Sequence, residues 1–429
     1  MIILLVVIIG IGTLFWSMAG LVRFVSERRH RKALETPSTN HPTFIPENSV
    51  SPSEVAIIIA AHNEDIVIRE TISAAAALVP AANIHVVSDG STDGTVQACL
   101  ESGAQVLDLK VNKGKAGALA AGIEYFNLAK KFKVVMLLDA DTRLSRDYLE
   151  TGLPAFQSPQ VVAVAGRVKT ASPPPPTYVG RFLVAYRERF YQVVQLLHKY
   201  GQAAKAINVV SIVPGFASMY RASVLDKINI TAPGLVIEDF NMTFELHAKK
   251  LGRIYFHPKA AVAYTQDPCS IRDYIRQMHR WNLGFWQTVR LHGLGAGRFW
   301  LALAVHIFEL ISCSLMLVLL VPVLLVSAYF QIERQATGEL SPVGAFAAGV
   351  LRPQDAVLAV LVADYMFSIL AAIVLRRPAY LALGLVFPVM RILDAAICLT
   401  TLPKAWFARS SGKWASPTRR PQLKQLSPS

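Results

Sequence analysis

The apolar positions of this chain follow two different patterns. Residues 1–22 are almost unbroken apolar sequence, and further apolar runs stand near the C-terminus at 311–330, 356–375 and 379–402. A run of about 20 apolar residues is the length at which a helix crosses the hydrocarbon of a bilayer. Between them, from residue 54 to about 290, short β-branched runs alternate with helical stretches. That alternation predicts an α/β domain around a mostly parallel sheet. The runs VAIIIAA (55–61), IHVVS (84–88), a third at 104–109 and VVMLL (134–138) predict buried strands, and helices are expected over 116–125, 179–197 and 241–249.

The flanks of the apolar runs set the expected topology. Arg23, Arg28, Arg29, Arg31 and Lys32 follow residues 1–22, and no positive charge precedes the run as it would in a cleaved signal peptide. The positive-inside rule then places the following domain in the cytoplasm. Residues 36–53, rich in Pro, Ser, Thr and Asn, read as a linker within the basic segment 23–53. The run at 311–330 carries no charge, and the one at 356–375 carries only Asp364. The third, at 379–402, holds Arg391 and Asp394, which at i,i+3 are expected to neutralise one another. Whether that run spans stays open, because spanning would put the basic tail, 404–429, outside. The expected domains are thus 1–22, 23–53, 54–290, an interfacial and membrane segment 291–403, and the tail. We expect an integral protein of the cell membrane with the lipid bilayer as partner.

Composition agrees with a chain partly in lipid. Of 429 residues 53% are hydrophobic, and the mean hydropathy is +0.39. The net charge of +14 suits an anionic membrane surface. No basic stripe interleaved with aromatics is present, so no nucleic-acid partner is expected. The scattered Cys99, Cys269, Cys313 and Cys398 suggest neither a disulfide framework nor a zinc site. His62-Asn63-Glu64 lacks the helical HExxH of a zinc hydrolase, and no Ser or Cys stands in a nucleophile elbow. The proline run 173–176 reads as a stiff bend, and the cluster 186–191 as part of an amphipathic helix.

The candidate chemistry lies at the ends of the predicted strands, where α/β sheets bind ligands. VVMLL runs into Asp139-Ala140-Asp141. In extended backbone residues i and i+2 point the same way, so two carboxylates enter one crevice. Such a pair suits Mg²⁺ or Mn²⁺ held against a diphosphate. DGSTDG (89–94) resembles the start of a calcium loop, but Leu100 stands where the loop needs Glu and a strand precedes it. In a nucleotide site Asp89 would instead accept hydrogen bonds from base or ribose. NKGKAG (112–117) places small residues and two lysines at a helix start, which suits a phosphate. Glu238 and Asp239 read either as a capping pair ahead of the helix at 241–249 or as reacting carboxylates. Gln277, Arg280 and Trp281, three and four residues apart, share one helix face beside the membrane segment.

Taken in order, AHNE (61–64), SDGSTDGT (88–95), NKGKAGAL (112–119), LLDADT (137–142), PGFASMYR (214–221), IEDF (237–240) and QMHRW (277–281) resemble the family 2 glycosyltransferases. The likeness is to the membrane-bound synthases of β-linked polysaccharides: poly-N-acetylglucosamine, chitin-oligosaccharide and hyaluronan synthases. It covers most of 55–290. The resemblance implies a GT-A-like fold flanked by transmembrane helices and an inverting transfer from a UDP-sugar donor. Glu64 and Asp89 would contact the uridine, Lys113 or Lys115 the nucleotide and diphosphate, and Asp139 and Asp141 the metal. Asp239, with Glu238 beside it, would act as catalytic base. Gly215, Tyr220 and Arg221 would shape the acceptor pocket, Gln277 would bind the donor, Arg280 would face the diphosphate, and Trp281 would carry the acceptor sugar. PGFASMYR and the segment from IEDF point to N-acetylglucosamine among the sugars. A growing polysaccharide is the implied acceptor. The apolar runs are few for a polymer channel, so an oligomer or an export partner enters the expectation. Two other readings stand beside it: a non-processive transferase adding one sugar to a lipid acceptor, and a non-catalytic binding protein with a transferase-like domain.

Overall fold

The computed structural model describes residues 2–34, 49–171, 175–350 and 353–407. Most of the expected linker, the first prolines of the 173–176 run and the tail beyond 407 lie outside the described residues.

The strands are β1 Val55–Ala61, β2 Ile84–Asp89, β3 Gln105–Leu109, β4 Val134–Asp139, β5 Arg143–Leu144, β6 Val161–Ala165, β7 Arg167–Thr170, β8 Ala217–Arg221, β9 Arg253–Tyr255 and β10 Val262–Thr265. A seven-stranded sheet runs in the order β3-β2-β1-β4-β8-β6-β9. β1 to β4 are mutually parallel, and β8 enters antiparallel to both β4 and β6. A three-stranded sheet, β5-β10-β7, stands beside it. β1 is buried along its whole length, as a central strand covered on both faces must be. Its side chains alternate between two cores. Val55, Ile57, Ile59 and Ala61 join one cluster with Ile68, Ile72 and Tyr148. Ala56, Ile58 and Ala60 join another with Leu119, Ile123, Tyr220 and Met242. The mixed, mostly parallel sheet is the one expected from sequence.

The principal helices are α1 Ile2–Ile9, α2 Ile11–Leu34, α3 Ile68–Ala76, α4 Thr95–Glu101, α5 Gly114–Tyr125, α6 Tyr178–Gln192, α7 Glu238–Ala248, α8 Ile271–His292, α9 Arg298–Thr337, α10 Pro353–Leu375 and α11 Phe387–Phe407. Two of these, over Arg298–Thr337 and Gln354–Leu375, are long and apolar enough to cross a membrane. Three expectations change. The apolar stretch 1–22 is not one helix: it breaks at Gly10, whose φ of +90° suits glycine. The run 379–402 also breaks, into Ala379–Leu383 and α11. Its charges do not pair with each other. Arg391 Nη1 lies 3.5 Å from Asp364 Oδ1 on α10, and Asp394 accepts from the hydroxyls of Tyr186 at 2.8 Å and Tyr274 at 2.7 Å. Tertiary partners displaced the local one.

α11 lies where the two regimes of the chain meet. Met390 and Ile397 pack with Tyr274 and Met278 of α8, while Cys398 and Ala405 pack with Trp286, Phe299 and Leu303. The same helix also sends Ala395 to Leu317, Leu320 and Ala363 of the apolar helices. α8 comes close to the segment before α7 at Gly284, where a Cβ would stand 2.9 Å from Ile237 Cγ1.

Candidate active site

The site forms where β1, β2 and β4 end together. Beyond β2, Asp89 is fully buried, and its Oδ1 accepts the Lys113 N–H at 2.7 Å. His62 Nδ1 donates to the Asp89 carbonyl at 2.8 Å. Asp89 Oδ2 is buried without a hydrogen bond among the described residues. Burial raises the Asp89 carboxyl above its usual value, against the Lys113 and Gly114 N–H groups. A buried acceptor left open is costly, so this oxygen is suited to a ligand N–H or O–H. Gly90 has φ +67°, and a Cβ there would meet Asn112 N at 3.0 Å. This loop therefore packs against the start of α5. Glu64, after β1, is buried too, and its N–H donates to Thr95 Oγ1 at 2.8 Å.

The centre of the crevice is charged. Lys115 Nζ lies 2.6 Å from Asp139 Oδ1 and 2.9 Å from Glu238 Oε1. Burial would lower the Lys115 pKa, but the two carboxylates hold it above its ordinary value. Asp139 is pushed upward, first by burial and then by neighbouring Asp141, with Lys115 opposing. β8 brings in the next piece: the Asp139 N–H donates to the Phe216 carbonyl at 2.9 Å, which seats Gly215 beside Lys115. A Cβ on Gly215 would stand 2.9 Å from Glu238 Oε1 and 3.0 Å from Lys115 Nζ. Only glycine fits without displacing them.

Glu238 and Asp239 lie in the first turn of α7 rather than before it, because the helix starts three residues earlier than expected. Asp239 accepts the Phe240 N–H at 2.7 Å and the Gly215 N–H at 3.3 Å. Burial, and then the Glu238 charge, push its carboxyl up to about 6, against Lys115 and those N–H groups. Glu238 moves the other way. Burial raises it, but Lys115, with help from Arg280, holds it below the usual range. Two adjacent carboxylates with pKa values driven apart are an acid–base arrangement.

α8 closes the other side. Arg280 is half-buried and near enough for its charge to act on Glu238. Gln277 Oε1 is buried without a hydrogen bond among the described residues. Trp281 is half-buried against Leu183, Tyr186 and Met278.

Of the expected acceptor residues, Arg221 is not brought to this crevice, and Tyr220 lies beneath its floor. Arg221 sits at the far end of β8, opposite Val134 at the start of β4. Its guanidinium bonds the carbonyls of Phe156, Ser158 and Val161. Tyr220 is fully buried in the core under α7, so its phenol lies beneath Asp239 and Glu238 rather than facing solvent. Both follow from strand geometry: β8 runs away from the crevice, and alternate residues leave its surface. Lys113 is exposed and gives the site its backbone N–H, whereas Lys115 enters the centre. Sequence reasoning missed Arg187, Tyr191 and Asp267, a buried group behind Trp281. The charged and aromatic cluster 186–191 within an amphipathic helix was its one visible sign.

The carboxylates fit a divalent cation. Asp139 and Asp141 provide two hard oxygen donors, and an ammonium already lies 2.6 Å from Asp139 Oδ1. No group of three potential ligands occurs among the described residues.

The profile described as "Glycosyltransferase like family 2" matches residues 52–284. The chain belongs to glycosyltransferase family 2. Its fold is accordingly GT-A-like. The transferase is similar to a poly-beta-1,6-N-acetyl-D-glucosamine synthase of Staphylococcus epidermidis, 26% identical over 252 residues, with 55% of this chain and 57% of the relative covered. It is similar also to the probable glycosyltransferase YdaM of Bacillus subtilis, 28% identical over 253 residues, with 56% of each covered. The chain spans about half the length of these curated relatives. Among solved structures, a mannosyltransferase from Pyrobaculum calidifontis in complex with GDP-Man and Mn²⁺ aligns over 94% of this chain and 99% of its own, with 18% identity and a TM-score of 0.48.

Proposed function

We propose that this transferase is an inverting, membrane-bound enzyme. In this reading it moves N-acetylglucosamine from a UDP-sugar to the end of a growing β-linked polysaccharide, with its catalytic domain in the cytoplasm. The observation that carries the reaction type is Asp239, a carboxylate raised to about 6 and fixed by two backbone N–H groups at the crevice. It is the base: it takes the proton of an acceptor hydroxyl, whose oxygen attacks C1 of the donor sugar as the C1–phosphate oxygen bond breaks. One in-line displacement converts an α-linked donor into a β-linked product.

The other groups take roles that their positions support. Asp89 offers its open buried oxygen to the uridine, and Glu64 stands beside it. Lys115 and Arg280 bring positive charge to the departing diphosphate, where negative charge grows. Gln277 presents its unpaired oxygen to the donor from the same face of α8. Asp139 and Asp141 would hold Mg²⁺ or Mn²⁺, which would screen the diphosphate. Glu238 holds Lys115 against Asp139. Trp281 supplies a flat apolar face for the acceptor ring.

The substrate is supported by likeness to the poly-N-acetylglucosamine synthase, and the membrane by the two span-length apolar helices. Two such helices also suit a lipid acceptor receiving one sugar. One experiment separates these readings. Membranes carrying the protein are given UDP-N-acetylglucosamine, UDP-glucose, UDP-glucuronate and GDP-mannose in turn, UDP or GDP release is followed, and the product is sized. A polydisperse polymer from UDP-N-acetylglucosamine is the expected result. A single-sugar lipid product would replace the polymer reading, and silence with all donors would overturn the enzymatic one.

A further inference from the structure

Behind Trp281 lies a buried charged group that the reaction does not use. Arg187, on α6, is 1% exposed, and Asp267, just past β10, is 5% exposed. Arg187 Nε lies 3.4 Å from Asp267 Oδ1, and its Nη2 donates to the Tyr191 hydroxyl at 2.7 Å. That hydroxyl in turn donates to Asp267 Oδ1 at 2.9 Å. Asp267 Oδ2 accepts from Thr170 Oγ1 on β7 at 2.9 Å. The guanidinium carbon stands 4.3 Å from the centroid of the Trp281 ring, and Nη1 lies 3.3 Å from Met278 Sδ, one turn earlier on α8.

Burying an ion pair is a poor way to stabilise a fold, since a well-packed apolar residue does as well without desolvation. What the pair supplies is direction. Three elements, α6, β7 and the segment after β10, fix one planar cation against one face of one indole. Arg suits such stacking better than Lys because its charge is spread over a flat, weakly hydrated group.

We propose that Arg187 is a positioning residue for the acceptor. It covers one face of Trp281, fixes the tilt of the ring, and leaves the opposite face as the platform for the terminal sugar. The proposal rests on the reading of Trp281 as that platform.

The test uses the full chain in membranes, UDP-N-acetylglucosamine as donor, and an N-acetylglucosamine oligosaccharide of defined length as acceptor probe. Arg187→Met alone strands Asp267, so it is paired as Arg187→Met/Asp267→Asn, which removes both charges together. The acceptor KM is expected to rise about tenfold, as loss of a desolvated cation–π contact predicts, while the donor KM shifts less than about twofold. Arg187→Lys should fall between this variant and the natural protein. Tyr191→Phe, which removes one anchor of the guanidinium, serves as a milder second variant and should raise the acceptor KM by roughly threefold. An unchanged acceptor KM in the double variant, or in Tyr191→Phe should the double variant fail to fold, overturns the proposal. Trp281→Ala measured alongside keeps the two ideas apart. If it raises the acceptor KM while the Arg187 and Tyr191 variants do not, the platform stands and the backing role falls. If it too changes nothing, the platform reading fails and takes the proposal with it.

Discussion

Two clusters of buried charge invite comparison. In the crevice, Lys115 touches Asp139 and Glu238, with Asp141 and Asp239 close by, and Asp239 is driven to about 6. Between the apolar helices, Asp364 takes Arg189 Nη1 at 2.6 Å and Nη2 at 3.2 Å, with Arg391 nearby. Ser368 and the Asp364 carbonyl complete the bonds to Arg189. The second cluster is satisfied: each carboxylate oxygen has its cation. The first is acidic in excess, and Asp89 Oδ2 and Gln277 Oε1 around it have no hydrogen bond among the described residues. Saturated charge holds helices together, while unsaturated charge waits for a ligand.

Breaking the first cluster should cost activity. Asp239→Asn removes the proposed base, so sugar transfer should fall by roughly 10²–10⁴-fold. UDP binding, measured by calorimetry, should persist. Asp139→Ala and Asp141→Ala should each abolish metal-dependent UDP binding in the same calorimeter, and unchanged binding in both would remove the metal role. Breaking the second cluster should cost stability instead. Asp364→Ala leaves the buried Arg189 without its counter-charge, takes one partner from the half-buried Arg391, and should lose about 3–5 kcal/mol in detergent unfolding, without any direct effect on donor binding.

A pH profile sharpens the contrast. Asp239 works as a base only when ionised, so log kcat/KM should fall with decreasing pH below about 6. The linked stability effect has the opposite sense. Its folded pKa is raised above the unfolded value, so this group favours the folded state at low pH, and that advantage is lost as pH rises through about 6. The smallest expected effect is that of Tyr274→Phe, which leaves Asp394 one hydroxyl short and should lower stability by about 1 kcal/mol in the same unfolding assay.

The crevice was legible from sequence because its parts are local. β1 matches the VAIIIAA run residue for residue, and β4 ends one residue later than expected, at Asp139 itself. A buried parallel strand announces itself by β-branched runs, and the ligand groups follow at its end. The start of α7 was missed because Glu238 and Asp239 were read as lying ahead of the helix, although first-turn acids suit its dipole equally well. Arg221 was misplaced because a motif names residues without saying which end of a strand faces the crevice. The helical seam was least legible. Arg189 meets Asp364 across 175 positions and Tyr186 meets Asp394 across 208, so no spacing rule finds them. The i,i+3 pairing expected for Arg391 and Asp394 failed for the same reason.

α9 has a mechanical consequence. Its 40 residues measure about 60 Å at 1.5 Å per residue, twice the roughly 30 Å of bilayer hydrocarbon. Phe299, Trp300 and Leu303 at its start are packed into the transferase domain beside Phe244 and Phe285, while its later turns expose Leu319, Leu325, Tyr329 and Ile332. On the membrane reading the helix is a ruler with one end set in the enzyme and the other in lipid. The height of the crevice above the bilayer is then fixed by a rod rather than by a tether, and each new sugar joins the product at the same elevation.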